Sequence, residues 1–164
     1  MSAVTRPPNR LLQALPSAEY AQLHPLLETV ELTKETALAD AGAPVQRVYF
    51  PHAGVVSMMV NLSDGQSVEI ATIGRDGIVG ASAALHERPP LADAIVVVPG
   101  TASVMRAEDF REAANRSAEF RTLVALYEQA LMAQTQQSVA CNVSHPVEAR
   151  LSRWLLRARD LCGS

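Results

Sequence analysis

At 164 residues, 48% hydrophobic and 19% charged, the chain is sized for one domain that buries about 70% of the surface its unfolded form exposes, so no disulfide or metal is needed to hold it. A net charge of −3 with 4% aromatic residues excludes this segment as a nucleic-acid surface, which calls for clustered Lys and Arg and for stacking platforms. No apolar run nears the ~20 residues of a membrane span, the start "MSAVTRPPNR" lacks a secretory apolar core, and Cys141 with Cys162 make no disulfide framework; a cytoplasmic location is the expectation.

The first elements are helical. Leu11, Leu12 and Leu15 recur at helical spacing, Pro16 breaks the pattern, and from Ser17 a second set follows with Tyr20, Leu23, Leu26 and Leu27. Over residues 29–106 the pattern changes to short β-type runs, "TVEL", "TALA", "VQRVYF", "GVVSMMVNL", "QSVEIATI", "AIVVV" and "ASVMR", separated by Gly, Pro, Asn and Asp. Asp64-Gly65 between two of them favours the positive backbone angles of a tight hairpin. Seven or eight short strands imply a sandwich, jelly roll or barrel-like roll.

Within that stretch, "IGRDGIVGAS" places Gly74, Gly77 and Gly80 at a corner between a strand and a short apolar segment. The spacing matches neither the dinucleotide nor the Walker pattern. The glycines are expected to serve first as a fold-forming corner and second as a cradle for a ligand.

After "RAEDFREAANR", a short helix, residues 117–143 run without Gly or Pro; such a helix is about 40 Å long, more than a small roll can cover. Phe120, Val124, Tyr127 and Leu131 form one apolar stripe, and Leu123, Leu126, Ala130, Ala133, Gln137 and Ala140 a second about 100° round. Two apolar faces imply two neighbours, so one stripe is expected on the roll and the other on its copy in a parallel symmetric homodimer. A last amphipathic helix follows, with Val147, Leu151, Trp154, Leu155 and Ala158 on one face, Arg150, Arg153 and Arg157 outside, and Gly163 closing it. The apolar face around Trp154 wants a partner of its own, from which the 164 residues are expected to be a fragment of a longer protein.

The order of elements and three local patterns resemble the CRP/FNR family of bacterial transcription regulators over about residues 10–162. The patterns are "GAPVQRVYFPHAGVVSMMV", with Gly42, Tyr49, Phe50, Gly54 and Val56 at the family's strand-pair positions, "GRDGIVG", and "ACNVSHPVEARLSRWLL" at the hinge. The resemblance implies a mainly β fold with flanking helices: a cyclic-nucleotide-binding-type double-stranded β-roll, or jelly roll, of eight strands, followed by a long C-terminal dimerisation helix. It implies residues 1–116 as helices and sensory roll, 117–143 as the dimerisation helix, and 144–164 as the hinge and first helix of a DNA-binding domain whose winged helix-turn-helix is missing from this chain. DNA through that domain and RNA polymerase are the partners implied.

Family members that bind cAMP follow the corner glycine with a Glu for the ribose and place an Arg-Ser pair downstream for the phosphate. Here Gly80 matches the glycine, but Ala81 stands at the Glu position and Ala92-Asp93 at the Arg-Ser position. A like charge from Asp93 about 4 Å from a phosphate costs on the order of 4 kcal/mol, so a cyclic nucleotide is disfavoured. Arg75 and Arg88 remain as cations able to reach in, and Thr135 falls where relatives touch the base. The candidate effector residues are therefore Gly74, Arg75, Gly77, Gly80, Ala81, Ser82, Arg88 and Thr135.

No cofactor, metal site or catalytic group is expected. Two cysteines cannot hold an iron–sulfur cluster, and His24, His52, His86 and His145 read as surface or helix-end residues. Cys141 near the end of the long helix reads as a small buried filler, with a redox contact across the twofold as its alternative. The resulting expectation is a non-catalytic sensory and dimerisation module of a DNA-binding regulator; a cupin-like metalloenzyme and a stand-alone cyclic-nucleotide module are the alternatives.

Overall fold

A computed structural model describes residues 6–162; Gly163, expected to end the last helix, lies outside the described residues. Two short helices open the fold, α1 (Arg10–Ala14) and α2 (Ser17–Leu23), followed by a single 3-10 turn over His24–Leu26. Asn9 starts α1. Asn9 is fully buried, its carboxamide oxygen accepts the N–H groups of Leu11 and Leu12 at 3.1 Å, and its amide donates to the carbonyls of Pro51 and Gly77. One side chain thus caps the helix and ties it to the roll.

Seven strands are found among the described residues: β1 (Glu28–Leu32), β2 (Ala37–Ala39), β3 (Arg47–Pro51), β4 (Val55–Asn61), β5 (Ser67–Ile73), β6 (Asp93–Val98) and β7 (Gly100–Arg106). Each coincides with one of the β-type runs. They form two antiparallel sheets, ordered β1-β7-β3 and β2-β6-β4-β5, and the chain is a β-roll with flanking helices. In place of an eighth strand, Val79 exchanges reciprocal backbone hydrogen bonds with Tyr49 at 2.8 and 3.1 Å. The β4–β5 hairpin turns at Asp64-Gly65 as expected: Gly65 has φ +85°, and the Asp64 carboxylate accepts the Gln66 N–H.

Two apolar clusters hold the molecule. Leu32, Val56, Ile73, Val79, Ala94, Val96 and Ala102 meet inside the roll, where alternation along each strand puts every second side chain inward. Outside the three-stranded sheet, Phe50 packs on Phe110 of α4 (Ala107–Arg116), which meets Phe120 of α5 (Ala118–Ser144) edge to face at 5.3 Å. Leu12, Tyr20 and Leu23 complete that cluster. Ser117 caps α5 by accepting the Phe120 N–H.

The 27-residue α5 lies on the roll through the first expected stripe: Phe120, Val124 and Tyr127 are buried, with Leu131 packed beside them. Gln134 accepts the Thr72 N–H at 2.9 Å, covering the free edge of β5. Of the second stripe, Leu123 packs against the outer cluster. Leu123 is half-buried, while Leu126, Ala130, Ala133, Gln137 and Ala140 are exposed, Leu126 by 59%.

The orientation of the last helix corrects the sequence expectation. α6 (Val147–Cys162) turns back with Arg153, Trp154 and Arg157 inward, while Arg150 stays exposed as expected. The Arg157 guanidinium pairs with Asp76 at 2.7 Å, Arg153 donates to the Ser138 hydroxyl, the Trp154 indole donates to Glu69, and Leu161 is buried against Gly74. Val147, Leu151 and Leu155, the apolar face expected to want a further partner, are exposed. Helical spacing fixes which residues share a face; here the carboxylates waiting on the roll decide which face is drawn in.

Candidate functional site

The glycine corner divides into two parts with different work. Gly74 and Gly77 are packing positions: a Cβ on Gly74 would sit 2.7 Å from the Leu161 side chain, and one on Gly77 2.7 Å from Ile73 and 2.9 Å from the Tyr127 ring. The Tyr127 hydroxyl donates to the Ile78 carbonyl at 2.7 Å, and burial pushes its pKa up. Arg75 accepts the Arg10 N–H through its carbonyl, joining the corner to α1. None of Gly74, Arg75 and Gly77 lines the cavity described below; this half of the corner packs against Leu161, Ile73 and Tyr127.

Gly80 begins the second part. Its φ of +86° turns the chain into α3 (Ala81–His86), and Glu87 closes that helix at φ +52°. Arg111 of α4 clamps the short helix, pairing with Glu87 at 2.6 Å and donating to the Ala84 carbonyl.

Gly80, Ala81 and Ser82 line an open cavity of about 1410 Å³ between the roll and α5. Met58, Ile70, Ile73, Ala94 and Ala39 form its sheet side, and Glu128, Leu131 and Met132 its α5 side. The segment "HERPPLA" makes the rim: His86, Arg88, Pro89, Pro90, Leu91 and Ala92. Of the candidate effector residues, then, Gly80, Ala81, Ser82 and Arg88 come together here. Thr135 does not line it; its hydroxyl donates to the Leu131 carbonyl of its own helix.

Asp93 is also corrected. Successive β residues point to opposite faces, so with Ala94 facing the cavity Asp93 faces away, where its carboxylate accepts the Ala41 N–H at 2.7 Å and the Asn61 amide at 2.6 Å. The repulsion expected of it therefore does not act in the cavity; what remains is the missing cation. Ala92 is buried and Ala81 sits in the first turn of α3, and neither side chain offers a phosphate or a ribose hydroxyl a partner.

Sequence reasoning missed Glu128. It follows Val124 by one turn on α5, yet lies at the edge of the apolar stripe, and burial pushes its carboxyl pKa up, opposed by Ser82 and by nearby His86. Its signal in the sequence was a single acid among Val124, Tyr127, Leu131 and Met132. His52 is half-buried against Ser103, with its pKa lowered by burial; His24 and His145 are exposed at helix ends. Cys141 is buried and receives the Gln137 amide at 3.3 Å. Among the described residues no three His, Cys, Asp or Glu side chains gather as metal ligands, and no helix is long and apolar enough to cross a membrane. The cavity is apolar inside, with Ser82, His86, Arg88 and Glu128 as its polar groups.

The sequence profile of the cyclic nucleotide-binding domain matches residues 29–117. No curated protein sequence matches the chain. Among solved structures, the c-di-GMP responsive global regulator CLP of Xanthomonas campestris superposes with a TM-score of 0.69 at 12% identity, over 85% of this chain and 70% of that one. A CooA mutant from Carboxydothermus hydrogenoformans gives 0.62 at 15% identity, over 94% and 97%. The catabolite activator protein of Thermus thermophilus gives 0.59 at 22% identity over 90% of this chain, which spans 62% of that one. At these identities the likeness is one of fold.

Proposed function

Because this chain belongs to the cyclic nucleotide-binding domain family, we propose that it is the sensory and dimerisation region of a transcriptional regulator of the CRP/FNR type, non-catalytic, and answering to an effector other than cAMP. The observation that carries it is α5: 27 residues long, seated on the roll by one stripe and exposing Leu126, Ala130, Ala133, Gln137 and Ala140 on another. A helix apolar on two sides wants a second neighbour, and its own copy is the symmetric solution.

Residues 1–116 form the sensory unit, 117–143 the dimerisation helix, and 144–164 the hinge and first helix of a DNA-reading domain carried by a longer chain. The exposed Val147, Leu151 and Leu155 of α6 give that domain an apolar surface to pack on. An occupant of the cavity touches α3 and α5 together through Ser82 and Leu131. It can thereby shift two paired helices and the spacing of two recognition helices, which must match half-sites about 34 Å apart; a coupling of about 1–3 kcal/mol is enough.

Sedimentation equilibrium tests this. The chain is expected to run at twice its monomer mass, and Leu126→Glu to run as a folded monomer. A wild-type monomer at high micromolar concentration overturns the dimerisation reading.

A further inference from the structure

The cavity's lining says more about its occupant than its size does. Its inner surface is aliphatic: Met58, Ile70, Ile73, Val79, Leu131 and Met132 supply methyl and methylene groups, and no Phe, Tyr or Trp is among the lining residues. A ribose phosphate placed against this aliphatic wall would lose water without gaining partners there. A flexible hydrocarbon chain has no such groups to satisfy.

The polar groups stand to one side, on α3, the rim and α5. Three arginines come close to the α3 end of the rim, and two are committed: Arg106 pairs with Glu108 at 2.7 Å and Arg111 with Glu87 at 2.6 Å. Arg88 has no acidic partner among the described residues and borders the cavity, with His86 two residues away on the same rim. Beside it Leu91 is 92% exposed, a large aliphatic side chain with nothing to cover it. Glu128 is the acid facing this region; burial biases it toward the neutral form, and Ser82 and His86 face it.

We propose that the cavity binds a straight-chain aliphatic carboxylate, its hydrocarbon chain lying along Met58, Ile70 and Leu131 and its carboxylate held at the rim by Arg88 beside His86. The inference rests on the cavity being the effector site of the sensory unit, and it names the chemical class of that effector. A guanidinium offers a carboxylate two parallel hydrogen bonds, while an alcohol of the same length engages only one.

Isothermal titration of the whole chain with decanoate, decanol and cAMP, all below the micelle limit, tests it. Decanoate is expected to bind with micromolar affinity, decanol at least tenfold more weakly, and cAMP without measurable heat. Arg88→Gln is expected to reduce decanoate affinity at least tenfold and leave decanol unchanged. Met132→Trp, which narrows the cavity from an exposed position, is expected to weaken both, with unchanged circular dichroism. Equal binding of acid and alcohol, or indifference to Arg88→Gln, overturns the carboxylate assignment. Tight cAMP binding overturns it together with the non-cAMP part of the functional reading. Absence of binding by every ligand to a chain that still sediments as a dimer overturns the ligand class alone and leaves the dimerisation reading standing.

Discussion

The roll-proximal end of α5 and the whole of α6 both lie on the same β-roll, and they are held by opposite means. α5 is anchored by Phe120, Val124 and Tyr127, buried against Phe110 and the corner residue Ile78. α6 is anchored by Arg157 on Asp76, Arg153 on Ser138 and Trp154 on Glu69, with Leu161 as its one fully buried apolar side chain. Apolar burial is non-directional and insensitive to salt, and it joins α5 to the core as one cooperative unit. Directional contacts between half-buried polar groups contribute little each, since water competes for both partners in the undocked state. The difference teaches where the molecule is expected to give first: α6 should come away from its docking site before α5 leaves the core.

The largest effect is expected at the α5 anchor. Phe120→Ala opens a cavity beside Phe110 and should cost about 3–5 kcal/mol, read as a drop in the urea midpoint for the entire chain; a loss confined to α6 would break the comparison. Next come the two glycines of the corner, which sharpen it. Gly77→Ala forces a Cβ between Ile73 and Tyr127 and should lower global stability by about 1–3 kcal/mol. Gly74→Ala meets only Leu161, so hydrogen exchange should rise in α6 while the melting temperature of the roll stays nearly constant.

A smaller effect is expected from the ion pair of α6. Arg157→Gln should release about 1 kcal/mol of docking, with the double variant including Asp76→Asn showing a non-additive term of similar size; protease cleavage within residues 147–162 reads it. The smallest effect concerns pH. Burial raises the Glu128 pKa above its unfolded value near 4.5, so the folded state binds its proton more tightly. The stability this contributes is complete below pH 4.5 and is lost as pH rises through the folded value. Glu128→Gln should therefore raise the melting temperature at neutral pH and flatten its dependence across the mildly acidic range.

Much of the fold could be read from residue order alone. Alternation in "QSVEIATI" and "AIVVV", the Asp64-Gly65 turn, and the long run without Gly or Pro are local signals, and β5, β6, the β4–β5 hairpin and α5 form where those signals stand. The cavity was half legible. Gly80, Ala81, Ser82 and Arg88 are adjacent in sequence and stay adjacent in space, but Met58, Glu128 and Met132 arrive from β4 and α5, and nothing in their own neighbourhoods marks them. Gly74, Arg75 and Gly77 looked like the same loop as Gly80, yet Tyr127 and Leu161, both distant in sequence, turn them into packing positions.

The sequence by itself determined the strands, the turns and the spacing of apolar stripes on each helix, because backbone preference and side-chain periodicity act over a few residues. Only the tertiary structure decided which stripe of α6 faces inward, which way Asp93 points, and that an aliphatic cavity opens beside a free arginine. Those outcomes depend on what stands opposite in space: Asp76 for Arg157, Ala41 and Asn61 for Asp93, and α5 across from β4 and β5 for the cavity.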